Sequence, residues 1–344
     1  MRRETAWRML GGAAAAAGGL LAAEYAGANY LFRRTLTRSG AKTERTIDMS
    51  GTDWNEHIPY IESCREWQSG QYREDVWTQS QDGLRLHGTY FPGCPWPAEE
   101  KEWQPERPGK LVLAFHGYSS QGMSDYTALS KFYIHELGCA MLIVDERSHG
   151  QSEGEYIGFG TLDRFDVLSW LSYIENRFGR EDIEIYLHGI SMGAATVVMA
   201  SGQKLPANVK GIVSDCAFTS AWDVFSHVLK SWYHIPPFPL MQIADVITRK
   251  KAGYGLKEGD ASREAEKSEI PTLFIHGDRD TFVPCWMCDK IYDHCRAPKK
   301  KLIISGAAHA ESYYKNRTAY EEAVKELLMT VQARDARPKT SKNL

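Results

Sequence analysis

A serine at position 191 lies in the pattern G-x-S-x-G, which spans residues 189–193. An apolar run over residues 183–189 precedes it, and a helical pattern over residues 192–203 follows it. At such a strand-to-helix turn a serine takes a strained conformation that lifts its hydroxyl clear of the sheet, and small flanking residues let neighbouring backbone approach. The pattern therefore predicts a nucleophilic serine, although the five-residue pattern also occurs by chance and needs supporting residues.

Acidic and basic residues that could activate this serine follow later in the chain. A serine hydroxyl is a poor nucleophile at neutral pH, so it needs a base, and the base needs an orienting partner. Asp278 and Asp280 follow the apolar run 271–277, and His309 follows the run 300–305. The residues themselves leave either aspartate as the partner of the histidine. The alternative for His309 is a loop histidine that is hydrogen-bonded for structural reasons.

Over residues 75–332 the chain resembles the α/β-hydrolase family, in which serine, acid and base follow one another in this order. The stretch "DERSHGQSEG" (145–154) is similar to the D-x-R-G-H-G-x-S-x-G of the serine-aminopeptidase-like branch, with Ser148 in place of a glycine. That branch also includes monoacylglycerol lipases and acyl-thioesterases. In the family's H-G-x-x-D-x-x-V-P the second aspartate is the acid, so the resemblance implies Asp280 as the acid and His309 as the base. Asp278 is then a turn residue.

The transition state of acyl transfer also needs hydrogen-bond donors for the developing oxyanion. The N–H of Met192, at the start of a helix, is one expected donor. The resemblance implies the N–H of Tyr118 as the other, and the Tyr118 side chain is expected to narrow the acyl pocket. Four nearby residues are expected to brace the loops around the site: His116, Asp145, Arg147 and His149. Three further histidines are interpreted as structural or solvated: His188, His276 and His294.

Short apolar runs alternate with helical patterns through most of the chain, which is typical of a mainly parallel sheet covered by helices on both faces. A hairpin is predicted over residues 75–92. Further strands are predicted at 110–117, 139–147, 183–189, 209–215, 271–277 and 300–305. Helices are predicted at 124–138, 161–178, 192–203, 286–296 and 316–331. The fold class is thus α/β, and the resemblance implies the α/β-hydrolase fold.

Residues 216–270 separate two predicted strands by far more than an ordinary crossover. They contain two helical patterns, at 220–233 and 239–251, and five aromatic residues: Trp222, Phe225, Trp232, Tyr233 and Phe238. We interpret this interval as an inserted helical cap. The alternative is an additional packing layer with no role in substrate selection.

Residues 9–32 of the N-terminal segment carry a single charge, that of Glu24, and the segment is long enough for a membrane-spanning helix. A single-pass N-terminal membrane anchor over residues 1–38 is therefore predicted. A signal peptide cleaved after Ala28, with secretion of the mature protein, and an amphipathic leader are the alternatives. The basic residues after the segment favour a cytoplasmic body, whereas the short preceding tail favours the opposite orientation. A linker with some helix at 39–74 and a polar tail at 333–344 complete the predicted organisation.

The composition argues against a nucleic-acid-binding protein, because the net charge of the 344-residue chain is −3. The seven cysteines are scattered, and the lone C-x-x-C of Cys285 and Cys288 is interpreted as inert thiols, so no metal or cofactor is expected. The predicted function is a serine hydrolase that cleaves small-molecule acyl esters or thioesters. The alternatives are a serine peptidase acting on short peptides and a catalytically silent interaction module.

Overall fold

The computed structural model of the protein describes residues 18–19, 22–38, 52–93, 108–179 and 183–335. Within these residues the centre of the fold is one eight-stranded sheet. Its strands are β1 Glu74–Gln79, β2 Arg85–Phe91, β3 Lys110–Phe115, β4 Ala140–Val144, β5 Glu184–Ile190, β6 Val209–Asp215, β7 Thr272–Gly277 and β8 Lys299–Ile304. The spatial order is β1-β2-β4-β3-β5-β6-β7-β8. The pairs β1/β2 and β2/β4 are antiparallel and all other pairs are parallel, which confirms the predicted mainly parallel sheet.

Helices flank the sheet and account for most of the remaining described chain. They are α1 22–36, α2 Ile58–Ser69, α3 Gly122–Asp125, α4 Thr127–Ser130, α5 Asp163–Phe178, α6 Met192–Ser201, α7 Ala221–Ser231, α8 Leu240–Ala252, α9 Ala261–Ala265, α10 Trp286–His294, α11 Ser312–Lys315 and α12 Arg317–Asp335. A single 3₁₀ turn at Trp54–Glu56 and a π-helical stretch at Lys131–Glu136 complete the described helical structure. The π-helical stretch divides the helix predicted at 124–138 into shorter pieces.

The core lies on both faces of the sheet, because successive side chains of a strand point to opposite sides. In β3, Val112 packs in one apolar cluster with Tyr320 of α12. Its neighbour Leu113 packs in the opposite cluster with Trp170 of α5. Burial on both faces is the reason that β4, and β3 after Lys110, are apolar instead of alternating with polar residues.

The interval between β6 and β7, interpreted from the sequence as a cap and called the cap below, contains the helices α7, α8 and α9. Ser220 begins α7, since its hydroxyl oxygen accepts a hydrogen bond from the N–H of Asp223 at 3.1 Å. Gly253 ends α8 in the left-handed conformation, with φ of 80°. Both helices lie within about a residue or two of the ranges expected from periodicity. The short α9 was not predicted.

The prediction of a transmembrane helix is wrong, because none of the helices in the described part of the chain has the length and apolar content needed to cross a bilayer. Residues 22–36 instead form α1, whose Ala28, Phe32 and Leu36 are buried in the same apolar cluster as the cap. These side chains repeat every four residues, so they share one helix face. Residues 1–17 and 336–344, on which the predicted anchor and tail partly rest, lie outside the described residues.

Candidate active site

Ser191 lies at the turn between β5 and α6. Its backbone has φ of 54° and ψ of −108°, a region that residues other than glycine rarely occupy. The N–H of Ser191 donates to the carbonyl oxygen of Asp215 at 2.8 Å, and the N–H of Gly193 donates to that of His116 at 3.0 Å. These bonds hold the turn against the two neighbouring strands, so the strained conformation is supported from both sides.

The two glycines of the motif are required by close backbone approach. A Cβ placed on Gly189 would lie 2.1 Å from the carbonyl oxygen of Gly193. A Cβ placed on Gly193 would lie 2.0 Å from the carbonyl oxygen of Phe115 in β3. Any side chain at either position would force α6 away from the sheet and displace Ser191.

The structure brings Ser191, His309 and Asp280 together in one hydrogen-bonded chain. His309 Nε2 lies 2.8 Å from Ser191 Oγ, and His309 Nδ1 lies 2.7 Å from Asp280 Oδ2. With a proton on Nδ1 donated to the carboxylate, Nε2 is free to accept the serine proton. All three side chains are buried, which strengthens their electrostatic interactions.

The carboxylate of Asp280 is held in its ionised form. Its Oδ1 accepts hydrogen bonds from the N–H groups of Phe282 and Val283 at 3.0 and 2.8 Å. Burial acts to raise the pKa of this carboxyl, but the attraction of His309 and the hydrogen bonds from His276 and His309 outweigh burial and lower the pKa well below its usual range. A fixed negative charge therefore faces His309 Nδ1.

Asp278, the other candidate acid, has a different environment. Its Oδ1 accepts a hydrogen bond from the N–H of Gly306 at 2.7 Å, and its Oδ2 accepts one from the hydroxyl of Ser305 at 3.2 Å. The side chain is exposed and binds the loop after β8. The structure thus brings Asp280, and not Asp278, into hydrogen-bond contact with His309.

Two histidines fix the loop that carries Tyr118. His116 donates from Nδ1 to the carbonyl oxygen of Gly117 at 2.7 Å and accepts at Nε2 from the N–H of Glu146 at 3.0 Å. His149 accepts at Nε2 from the N–H of Ser119 at 3.3 Å. Burial, followed by the proximity of His116, lowers the pKa of His149 to about 3, so this ring is neutral and can accept that bond.

Arg147 and Asp145 brace the next loop. Arg147 is buried and forms hydrogen-bonded ion pairs with Asp166 at 2.6 Å and Asp82 at 3.0 Å. Asp145 Oδ2 accepts from the N–H of Gln151 at 3.0 Å and contacts His87 Nδ1 at 2.8 Å. Within the described residues, neither Arg147 nor Asp145 forms a hydrogen bond with Ser191. This agrees with the bracing role expected from the sequence.

The two expected oxyanion donors belong to segments next to Ser191. Met192 is the first residue of α6, where backbone N–H groups have no partner within the helix. Tyr118 follows Gly117, at which an added Cβ would contact the Cβ of Ser191 at 3.5 Å. The Tyr118 hydroxyl donates to the carbonyl oxygen of Thr35 in α1 at 2.8 Å. Its ring therefore lies between the serine and the N-terminal helix.

An apolar cavity of about 380 Å³ opens at Ser191, a volume within the usual range of small-molecule sites. The cap contributes apolar side chains from α7 and α8, among them Val224, Phe225, Leu229 and Met241. Helix α1 forms a further wall of the cavity, through Tyr30, Leu31, Phe32, Arg34, Thr35 and Leu36. Sequence reasoning missed this wall. The four-residue spacing of Ala28, Phe32 and Leu36, directly beside Arg33 and Arg34, is the signal that could have indicated a helix packed on protein.

Two clusters among the described residues bring three potential metal-ligand atoms within 4.8 Å of one another. The clusters are Cys216, Asp280 and His309, and Glu56, His57 and Glu311. In the first, the carboxylate and imidazole already bind each other. In the second, the ammonium group of Lys315 lies 3.5 Å from Glu56 and 3.6 Å from Glu311. The positive charge that these two carboxylates face is therefore that of Lys315. Cys285 and Cys288 are free thiols, and their predicted inertness stays a prediction.

Comparison with known proteins agrees with this architecture. The family model described as "Serine aminopeptidase, S33" matches residues 106–251. The uncharacterized protein YqkD of Bacillus subtilis is 30% identical over 223 residues, which cover 65% of this chain and 72% of YqkD. The chain belongs to the α/β-hydrolase family, in its serine-aminopeptidase-like branch. The family resemblance seen in the sequence is thereby confirmed.

Solved structures show that the hydrolase shares its fold with an esterase and with other known proteins. The esterase Pf2001 of Pyrococcus furiosus has a TM-score of 0.59 and 18% identity, covering 77% of this chain and 93% of Pf2001. Est1E of Butyrivibrio proteoclasticus, solved with ferulic acid, has a TM-score of 0.54 and 17% identity, covering 75% of this chain and 100% of Est1E. At these identities the likeness establishes the fold alone.

Proposed function

We propose that this α/β hydrolase cleaves carboxylic esters or thioesters of apolar acyl groups through an acyl-enzyme on Ser191. The observation that carries the proposal is the chain of hydrogen bonds from Ser191 through His309 to the buried Asp280, at the end of an apolar cavity. The three side chains are in the order and contact that nucleophilic catalysis requires, and the pKa of Asp280 is held low enough for its carboxylate to face His309.

The geometry supports a two-step reaction. His309 Nε2 removes the proton from Ser191 Oγ as the oxygen attacks the substrate carbonyl carbon. The N–H groups of Met192 and Tyr118 stabilise the oxyanion of the tetrahedral intermediate. As the carbon–oxygen or carbon–sulfur bond breaks, His309 returns its proton to the leaving alcohol or thiol. A water molecule, deprotonated by His309, then attacks the acyl carbon. The bond to Ser191 Oγ breaks, His309 returns the proton to Oγ and the acid is released, while Asp280 stabilises the imidazolium in each step.

The cavity favours an acyl substrate over a peptide. Its walls are mostly aliphatic and aromatic side chains from α1, α7 and α8, and burying an apolar chain there is favourable by about 25 cal/mol per Å². Most of these walls offer few partners for peptide N–H and carbonyl groups, which are costly to bury unpaired. The names of Pf2001 and of the family model point to an esterase and an aminopeptidase, respectively.

Labelling with a fluorophosphonate probe tests the nucleophile. We expect the folded protein to react at Ser191, and we expect Ser191→Ala to lose labelling while keeping its thermal unfolding midpoint. Ser148→Ala serves as the matched control, because this serine also has a positive φ, of 66°, but donates its hydroxyl to the carbonyl of Tyr156 at 2.8 Å. Labelling that persists in Ser191→Ala would disprove the assignment.

A substrate series tests the bond that is cleaved. We expect p-nitrophenyl esters to be hydrolysed with kcat/KM rising as the acyl chain lengthens, until the cavity is filled. Aminoacyl p-nitroanilides assayed beside them should react slowly or not at all. Faster cleavage of the anilides than of every ester would establish a peptidase, and labelling without turnover of either series would contradict the proposed reaction.

A further inference from the structure

The cavity wall supplied by α1 contains a charged residue. Arg34 lines the cavity together with Leu31 and Thr35 of the same helix. It is the one charged side chain among the described residues that line this space. A guanidinium beside apolar walls is partly desolvated, which is costly unless an anion compensates it.

Among the described residues, Arg34 has no partner that supplies that compensation. Within the described residues it forms neither an ion pair nor a side-chain hydrogen bond, and its side chain is half-buried. By contrast, Arg147 is paired with Asp82 and Asp166. The unpaired guanidinium therefore offers its hydrogen-bond donors toward the cavity.

The helix that carries Arg34 is fixed on the body of the enzyme. The Tyr118 hydroxyl bonds to the carbonyl of Thr35, and Arg38 donates to the carbonyl oxygen of Gly150 at 2.8 Å. On the cap side, Lys251 donates to the side-chain oxygen of Asn29 at 3.0 Å. These contacts hold the backbone of residue 34 in place, so the reach of its side chain relative to Ser191 is restricted.

We propose that Arg34 binds an anionic group of the substrate, so that the hydrolase selects acyl esters or thioesters that carry a carboxylate or a phosphate. The planar guanidinium can bind either anion with two parallel hydrogen bonds. The inference rests on the proposed ester hydrolysis at Ser191, and it adds the class of substrate. The anion lies on the acyl chain or on the leaving group, and the two arms of the experiment distinguish these sources.

The experiment measures kcat/KM on two matched pairs of probes, one pair for each position of the anion. The mono-p-nitrophenyl ester of suberic acid carries its anion on the acyl chain, and p-nitrophenyl octanoate is the neutral counterpart. For an anion on the leaving group, the octanoyl ester of 4-hydroxybenzoate is paired with that of 4-hydroxybenzamide. In one of the two pairs we expect Arg34→Gln to lower kcat/KM for the anionic member by about tenfold or more, with less than about a threefold change for the neutral member.

Arg33→Gln is the matched control, because Arg33 has the same charge and adjoins Arg34 on α1 but is exposed and does not line the cavity. We expect Arg33→Gln to leave the ratio of kcat/KM for the anionic probe to kcat/KM for the neutral probe unchanged in both pairs. We expect Arg34→Lys to keep part of the preference for the anionic probe. An equal loss in Arg33→Gln, or equal losses for anionic and neutral probes in Arg34→Gln, would overturn the proposal.

Binding to the Ser191→Ala variant separates this proposal from the proposed reaction. Isothermal titration with the anionic probe of the preferred pair should give a Kd at least about tenfold weaker when Arg34→Gln is added. If the wild-type protein hydrolysed no ester, the proposed function would fail, and all four probes would then be titrated. A Kd for every anionic probe that is independent of Arg34 would refute the role of this residue.

Discussion

Asp278 and Asp280 are separated by one residue, and their environments differ. Asp280 is buried against His309, whereas Asp278 is exposed and bound to the loop at Gly306. We expect Asp280→Asn to lower kcat for p-nitrophenyl butyrate by roughly 10³- to 10⁴-fold, since the amide no longer stabilises the imidazolium.

Asp278→Asn is the matched control and should keep kcat within about threefold of wild type, because the amide oxygen can still accept the bond from the N–H of Gly306 and the amide NH2 can donate to the hydroxyl of Ser305. Full activity in Asp280→Asn together with a large loss in Asp278→Asn would reverse the assignment of the acid.

Close packing of α6 on the sheet sets the position of the serine. Gly193→Ala places a Cβ 2.0 Å from the carbonyl oxygen of Phe115, so we expect it to lower the free energy of unfolding by about 3 kcal/mol or more and to abolish labelling of Ser191. Chemical denaturation measures the stability. Gly109→Ala is the control, since no atom lies within 4 Å of its added Cβ. Its effect should stay within about 0.5 kcal/mol, and equal stability of the two variants would contradict this account of the elbow.

Attachment of α1 depends on one face of that helix. Phe32 is 2% exposed in the cluster shared with the cap, whereas Tyr30, two residues earlier, is 65% exposed. We expect Phe32→Ala to lower the free energy of unfolding by about 3 kcal/mol, through lost burial and the cavity that remains. Tyr30→Ala should cost less than about 1 kcal/mol. A similar loss in both variants, measured by chemical denaturation, would mean that α1 contributes no specific packing.

The stability of the whole molecule should depend on pH through a buried histidine. His188 of β5 is 1% exposed and contacts the hydroxyl of Tyr320 at 3.0 Å. Burial lowers its pKa from 6.5 to about 3. The unfolded chain therefore binds a proton at His188 between about pH 6.5 and about pH 3, whereas the folded chain does not. The free energy of unfolding decreases as the pH falls through this range.

Denaturation of the wild type and of His188→Phe at about pH 7 and about pH 5 isolates this effect. The phenylalanine does not titrate, so we expect the variant to lose about 2 kcal/mol less than the wild type between the two pH values. The comparison holds even if the variant is less stable at both. An equal decrease of the free energy of unfolding in the two proteins, between these two pH values, would show that His188 is not kept neutral in the folded state.

Much of the fold could be predicted from the sequence because its signals are local. The apolar runs that became β3 to β8 and the helical spacing of α5 depend on neighbouring residues alone. The order of Ser191, Asp280 and His309 pointed to the three side chains that the structure brings into contact. The π-helical stretch after α4 and the short α9 were not foreseen, since tertiary packing and not periodicity determines them.

The N-terminal segment shows where local reading failed. Its apolar residues predict a membrane span, yet Ala28, Phe32 and Leu36 are buried against the cap. A short apolar stretch has the same composition whether lipid or protein covers it, so the sequence determined only that this face must be buried. Folding brings α1 beside α8, more than two hundred residues away along the chain, as the contact of Lys251 with Asn29 shows. Only that long-range contact decided that Arg34 lines the cavity at Ser191, because the partners of a helix face are set by surfaces that are distant in sequence.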